Sequence, residues 1–339
     1  MKAIYITITE SGASIIAKVA DENKKILDSF EVSRKDASGV LEIMRKWNEK
    51  HKNDDTRGAI LINTFNAAPL PFQGQKRNFI KQFRELIKDE FAPYKNGIFI
   101  DAFGGSGLLS HNIKQIYPNA RVIYNDYDNY SQRLANIEAT NEILQAIEPI
   151  AKKYKKNEKV SEEDREKIIK IIDGYIKRGY FIDWLTLSSK LIFSGKYSHN
   201  EDEFKKEKTF FMVSPKTPLY QANGYLKGVE IIRKDAIKLI KEFEKEDVVL
   251  ILDPPYLQTN KAGYKCFWGL RDFLKLIRLV REPFIFFSSE NSDILPYIDD
   301  LVEHGDEVFK GYSLKQAVLA IGQAKTDYMI YKSGAKGLF

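Results

Sequence analysis

An apolar run, Ile98-Phe99-Ile100, ends in Asp101 and passes directly into Phe103-Gly104-Gly105-Ser106-Gly107. A stretch with helical spacing follows over 108–117. A second apolar run, Arg121-Val122-Ile123-Tyr124, then closes on Asn125-Asp126-Tyr127-Asp128. Strand, glycine loop, helix, strand, acid is the opening of a doubly wound α/β sheet. The same rhythm resumes at 229–232, with Asp235, a helix and a strand over 248–253 behind it. Further strands are expected at 284–288 and 327–332, and helices at 270–281 and 292–303. The fold class predicted is therefore α/β, a Rossmann-like sheet wound on both faces.

The glycine loop limits the ligand. Glycines after a first strand let the backbone approach a bound molecule closely, although such a loop can also be a plain turn. The spacing is not G-x-G-x-x-G, and no G-x-x-x-x-G-K-[ST] phosphate loop exists in the chain. A ligand without phosphates fits better. Asp126, ending the second strand, is placed to accept from ribose hydroxyls. Asp235 is placed to accept from an adenine amino group, and Lys76 to pair with a carboxylate. Ribose, adenine and carboxylate together describe S-adenosylmethionine.

The 248–253 strand delivers Asp253-Pro254-Pro255-Tyr256 at its end. Prolines are excluded from a strand interior, so they stop it abruptly and stiffen the backbone there. Asp253 and a proline carbonyl offer two acceptors for the two N–H bonds of an arylamine. Tyr256 offers a face on which a planar ring can stack. An acid before two prolines can equally be a stiff turn, and the motif gains meaning only beside the glycine loop.

Four segments are expected. Residues 1–66 alternate like strands at 3–9, 14–20 and 26–32, with a helix at 36–51, and form a small β-rich appendage. Residues 67–132 and 229–339 are the two halves of the sheet domain. Residues 133–228 interrupt it as an insert, helical and charged at first, then loop-like and aromatic over 180–228. Lysines at 190, 196, 205, 206, 208, 216 and 227 are interleaved with those aromatics. Such a mixture suits a nucleic-acid reader, with Lys190, Lys196, Lys205, Lys216 and Lys227 as candidate contacts. A helical hairpin with its own small core has the same composition.

Composition removes other classes. A hydrophobic content of 43% supports a substantial core, and a net charge of +6 fits a polyanionic partner. A single cysteine, Cys266, leaves no intramolecular disulfide and no cysteine-rich zinc site. The four histidines show no metal-ligand spacing, so no metal is expected. No apolar stretch reaches membrane-spanning length, and the N-terminus lacks a signal-peptide pattern. A soluble, cytoplasmic chain is expected.

Taken together, these residues resemble the Dam-like DNA adenine N6-methyltransferases. Pro71-Phe72-Gln73-Gly74-Gln75-Lys76 resembles that family's N-terminal cofactor motif, which implies contacts from Phe72 and Lys76. Asp101-Ala102-Phe103-Gly104-Gly105-Ser106-Gly107 resembles its glycine motif, implying contacts from Asp101, Phe103 and Gly105. Asp126 matches the ribose-binding acid, Asp235 more loosely the adenine-contacting one, and Asp253-Pro254-Pro255-Tyr256 the catalytic motif. The order of lysine motif, glycine motif, insert and catalytic motif is that of the group methylating adenine. Phe286-Phe287-Ser288-Ser289-Glu290 and Lys325-Thr326-Asp327-Tyr328-Met329 resemble its last strands. The resemblance spans about residues 67–339 and implies methyl transfer from S-adenosylmethionine to an adenine amino group flipped out of double-stranded DNA. Other acceptors of the same chemistry are cytosine, an RNA base and a protein amide. A DNA-binding subunit without catalysis is the reading from a different class.

Overall fold

The computed structural model describes the backbone of residues 4–11, 14–20, 26–33, 59–62, 65–193, 196–213, 219–255, 268–290, 292–318 and 326–334, and side chains from residue 65 onward. The chain divides into two compact units, Met1–Phe65 with Asn223–Lys227, and Asn66–Ala222 with Gly228–Phe339.

In the first unit, β1 (Ile4–Ser11), β2 (Ser14–Ala20), β3 (Ile26–Ser33) and β4 (Ala59–Ile62) make one sheet in the order β3-β2-β1-β4. The first three strands pair antiparallel, and β4 joins β1 in parallel. Three strands are where the alternation puts them. β4 was not expected, because four consecutive apolar residues carry no period. The helix expected at 36–51 lies outside the described residues.

The second unit opens with α1 (Ile80–Asp89), β5 (Ile98–Asp101), α2 (Leu108–Ile116) and β6 (Arg121–Asn125). It continues through α3 (Tyr130–Ala135), α4 (Ile137–Ala151), β7 (Glu158–Lys159), α5 (Glu162–Lys177), α6 (Trp184–Leu191), α7 (Glu201–Lys206) and β8 (Phe211–Met212). The last third holds β9 (Glu230–Ile232), α8 (Ala236–Glu242), β10 (Val248–Leu252), α9 (Leu270–Ile277), β11 (Phe284–Ser289), α10 (Ile294–Glu303), β12 (Ser313–Val318) and β13 (Thr326–Lys332).

Seven strands form the central sheet in the order β12-β13-β11-β10-β5-β6-β9. Five pair in parallel from β11 to β9, and β13 runs antiparallel between β11 and β12. This is the doubly wound, Rossmann-like α/β sheet that the sequence predicts. β10 is buried at every residue, as its unbroken Val-Val-Leu-Ile-Leu demands of a strand covered on both faces. One face packs Ile100, Leu250, Leu252 and Phe286 against Leu239, Ile240, Phe273, Leu276, Ile294 and Ile298 of α8, α9 and α10. β12 was not anticipated. Ser-Leu-Lys-Gln-Ala-Val is an edge strand, and its mixed residues give no apolar run to read.

The insert departs most from expectation. Its second part is not loop alone. α6 starts where the Asp183 carboxylate accepts from Thr186 N at 3.1 Å. α7 starts where Asn200 Oδ1 accepts from Glu203 N at 2.9 Å. Phe204, Phe210 and Met212 are buried with Ile143, Ile147, Ile168, Ile172, Leu187 and Leu191 in a separate core. Several of the aromatics read as a stacking surface are therefore packing residues of a small core.

Candidate active site

β5 and β10 are neighbours, yet the chain leaves β5 toward β6 and leaves β10 toward β11. Loops after these two strands diverge and open a crevice at their carboxyl ends, where open α/β sheets bind ligands. A cleft of about 760 Å³ lies there. Phe72, Lys76, Phe103 and Gly105 line it from the first half of the domain, and Asp235, Asp253, Pro254 and Pro255 from the second. Tyr256 lies outside the described residues. Asp101 and Asp126 sit behind the wall.

The glycine loop is shaped by close approach. A Cβ on Gly104 would come within 2.1 Å of Tyr124 Cδ2, so any side chain would collide with a fully buried ring. Gly105 has φ +50°, and a Cβ there would meet the Phe72 ring at 2.9 Å. The Tyr124 hydroxyl donates to Gly105 O at 2.6 Å, which holds the loop from below. Phe72 is braced edge-on by Tyr130, with ring centroids 5.7 Å apart, while the Tyr130 hydroxyl accepts from Leu70 N at 2.9 Å. Sequence reasoning missed Tyr124, since nothing distinguishes it from any other strand tyrosine.

Lys76 bridges the two halves. Its Nζ lies 2.5 Å from Asp253 Oδ2, donates to Gly74 O at 3.0 Å, and sits 5.6 Å from the centre of the Phe287 ring. The expected carboxylate partner of Lys76 was a ligand; the partner in the structure is Asp253 itself. Burial pushes the Asp253 carboxyl up from the usual range, and Lys76 pulls it back down. Without that cation, a carboxylate at this position would favour its neutral form.

Two more acids stand near this pair. Asp101 is fully buried, and burial is the main cause that pushes its carboxyl up to about 7, with Asp253 adding to it. The Ser110 hydroxyl donates to Asp101 Oδ2 at 2.7 Å and opposes the rise, while Oδ1 has no hydrogen-bond partner among the described residues. A raised native pKa makes the stability contribution largest below the unfolded value of 3.8 and removes it as pH climbs through about 7. Asp101→Asn is therefore expected to gain on the wild type between pH 4 and 7, by roughly several degrees in Tm, and to level off above. Thermal melts across that range check this; a constant gap would contradict it. Asp327, at the start of β13, also lines the cleft and is 7% exposed. Sequence reasoning missed it as a site residue, since its place beside the cleft follows from strand register.

On the other side, the Asp126 carboxylate accepts from Tyr130 N at 2.6 Å and Ser131 N at 2.9 Å, and Tyr124 Oη, whose one proton is shared with Gly105 O, lies 2.9 Å from it. The two backbone bonds fix the start of α3. From that loop, Tyr127 and Asp128 line the cleft, and Asp126 lies behind them. Buried Asn125 ties three strand ends together. Its Nδ2 donates to Ala102 O and Lys234 O, each at 2.9 Å, and its Oδ1 accepts from Lys234 N at 2.9 Å. Asp235 caps α8, accepting from Lys238 N at 3.0 Å through Oδ1. Phe103 stands edge-on to Trp268 with centroids 5.0 Å apart, forming an aromatic corner of the cleft.

The insert lysines are not a row of free charges. Lys205 lies 2.7 Å from Asp173 and 2.6 Å from Glu201, and Lys196 lies 3.4 Å from Glu207. Lys190 is half-buried with its Nζ 5.6 Å from the Tyr220 ring centre. Lys227 is exposed, and Lys216 lies outside the described residues. Among the described residues no cluster of three or more His, Cys, Asp or Glu is arranged to hold a metal, and no helix is long and apolar enough to cross a membrane.

Comparison with known proteins agrees with this geometry. A protein of Haemophilus influenzae (strain ATCC 51907 / DSM 11121 / KW20 / Rd), provisionally named a methyltransferase, is 39% identical over 280 residues, covering 79% of this chain and 93% of that protein. The pattern of the family described as D12 class N6 adenine-specific DNA methyltransferase matches residues 72–282. That stretch begins at Phe72 in the lysine loop and runs past the Asp253 loop, so Lys76, the glycine loop and the Asp253-Pro254-Pro255 turn fall inside it, and the chain belongs to the D12 class of N6 adenine-specific DNA methyltransferases.

Proposed function

We propose that the chain binds S-adenosylmethionine in the cleft between the glycine loop and Asp235, and methylates an adenine of DNA brought to Asp253. The observation that carries this reading is the ion pair by which Lys76 from the first half meets Asp253 of the Asp253-Pro254-Pro255 turn from the second, beside the glycine loop in one cleft. The donor set fits the cofactor. Lys76 is a cation for a carboxylate, Phe72, Phe103 and Ile237 are apolar walls, and Asp128 and Asp235 are acceptors for a nucleoside. Bound there, the cofactor supplies a methyl group on a positively charged sulfur.

The protein's part is to make a poor nucleophile competent. An adenine amino group is weak because its lone pair is delocalised into the ring. Asp253 and the Pro254 carbonyl accept its two N–H bonds and draw the nitrogen toward a tetrahedral shape. Both acceptors then stabilise positive charge growing on nitrogen, a gain realised in the transition state. The stiff proline turn holds them in place without reorganisation. A base stacked inside a duplex cannot reach the end of β10, so the adenine is flipped into the cleft, with Tyr256 as the stacking partner.

Asp235→Ser tests the cofactor side while keeping a residue that caps a helix. Loss of one charge-assisted hydrogen bond is expected to weaken S-adenosylmethionine about tenfold or more in a calorimetric titration, with the fold intact. Unchanged affinity would move the adenine contact elsewhere.

A further inference from the structure

Lys76 is a cation among three largely buried acids, Asp101, Asp253 and Asp327, and Asp253 holds it in an ion pair. The sheet places Asp327 close by. Asp327 pairs in register with Ser289, and Met329 with Phe287, across β13 and β11. Side chains two residues apart share a face, so Asp327 and Met329 lie on one face of the sheet with Phe287 and Ser289. The ammonium of Lys76 sits over the Phe287 ring on that face. Asp327 is thus one pleat further along, toward the strand end where β10 delivers Asp253, and both acids line the same cleft.

We propose that Asp327 is a positioning residue for methyl transfer: it gives Lys76 a second anionic partner, so that Lys76 can loosen its hold on Asp253 when the adenine amino group claims that carboxylate. The proposal rests on the reading of Asp253 as the amine acceptor. A carboxylate fully engaged by an ammonium is a weakened acceptor for N–H bonds, yet one stripped of its cation in a buried site becomes protonated and accepts nothing from that oxygen. A lysine shared between two acids satisfies both needs. The charges around Asp327 agree with this sharing. Burial pushes its carboxyl up to about 6, Lys76 pulls it down, and Asp253 pushes it up. Other charged groups near it are Asp101 behind Asp253, and Glu290, whose Oε2 accepts from Thr326 N at 3.3 Å. Below about pH 6 Asp327 takes a proton, Lys76 loses its alternative partner, and turnover falls.

The test compares wild type, Asp327→Asn and Asp327→Glu. Single-turnover methylation of DNA is followed from about pH 5 to 9, and the side-chain ammonium of Lys76 is followed by nitrogen NMR, assigned by its absence in Lys76→Arg. Asp327→Asn is expected to lower kcat about tenfold or more, to remove from the acid limb the step near pH 6 that Asp327 contributes while the step set by Asp253 remains, and to leave cofactor affinity within about threefold. Asp327→Glu is expected to recover part of the rate. The Lys76 signal is expected to shift in Asp327→Asn and to titrate near pH 6 in the wild type. An unaltered rate, acid limb and Lys76 signal in Asp327→Asn would overturn the proposal. Should Asp327→Asn not fold, the wild-type titration decides alone: a Lys76 signal that ignores pH between about 5 and 7 sinks it. Absence of methylated adenine with wild type would instead remove the substrate reading, and the NMR arm would still report whether Lys76 has two partners.

Discussion

Asp253→Asn is expected to lower methyl transfer to adenine about 10³-fold, because an amide presents a weaker acceptor and a competing donor to the amino group. The same change takes from Lys76, 7% exposed, its ion pair with Asp253, and breaking a buried pair costs on the order of 3 kcal/mol, less whatever Asp327 recovers. Activity and stability therefore fall together in the single variant, and a loss of rate alone proves little. The double variant Asp253→Asn/Lys76→Met separates them. Removing both charges is expected to restore most of the thermal stability while leaving transfer as low as in Asp253→Asn. Thermal melts and single-turnover rates measured side by side check this. Recovery of rate together with stability would show that Asp253 serves only the fold.

The second large effect is expected from Lys76→Met alone. Burial already drives the Asp253 carboxyl upward, and the cation is what opposes it. Deleting the ammonium removes what opposes that rise and pushes the carboxyl further up. The part of the acid limb set by Asp253 is therefore expected to move to higher pH, with a loss of rate that grows as pH falls. With S-adenosylmethionine kept saturating, because Lys76 is also the proposed partner of its carboxylate, raising the pH to about 9 should return much of that loss, which no general damage to the fold would do. Stability changes in the opposite sense. A raised native pKa favours the folded form at low pH and withdraws that support as pH climbs through it. Lys76→Met is thus expected to be least stable, relative to wild type, at the alkaline end where it is most active. An acid limb that stays where it is in wild type would show that Lys76 does not control Asp253.

Much of the scaffold was legible because its signals are local. Ile98–Asp101, the glycine loop and Arg121–Asn125 follow one another along the chain, and each announces its own geometry. The all-apolar β10 ending in two prolines is equally self-declaring. Contacts between residues far apart in sequence were not legible. Nothing near Lys76 says that Asp253 lies beside it. Asp327 escaped for the same reason, since its meaning comes from strand register with β11. The insert misled through composition. Phe204 and Phe210 look the same on a stacking surface and in a core, and only the packing tells them apart. Its capping residues did carry a signal: Asn200 with Glu203 three residues later is a helix start that the aromatic pattern obscured.

The decisive measurement incubates the purified protein with S-adenosylmethionine and unmethylated DNA of mixed sequence, then digests the DNA to nucleosides for mass spectrometry. The structure and the family predict N6-methyladenine, formed by wild type and lost with Asp253→Asn. Methylcytosine in its place, or N6-methyladenine persisting at the wild-type level in a folded Asp253→Asn variant, would contradict the role of the β10 end as the acceptor of an adenine amino group.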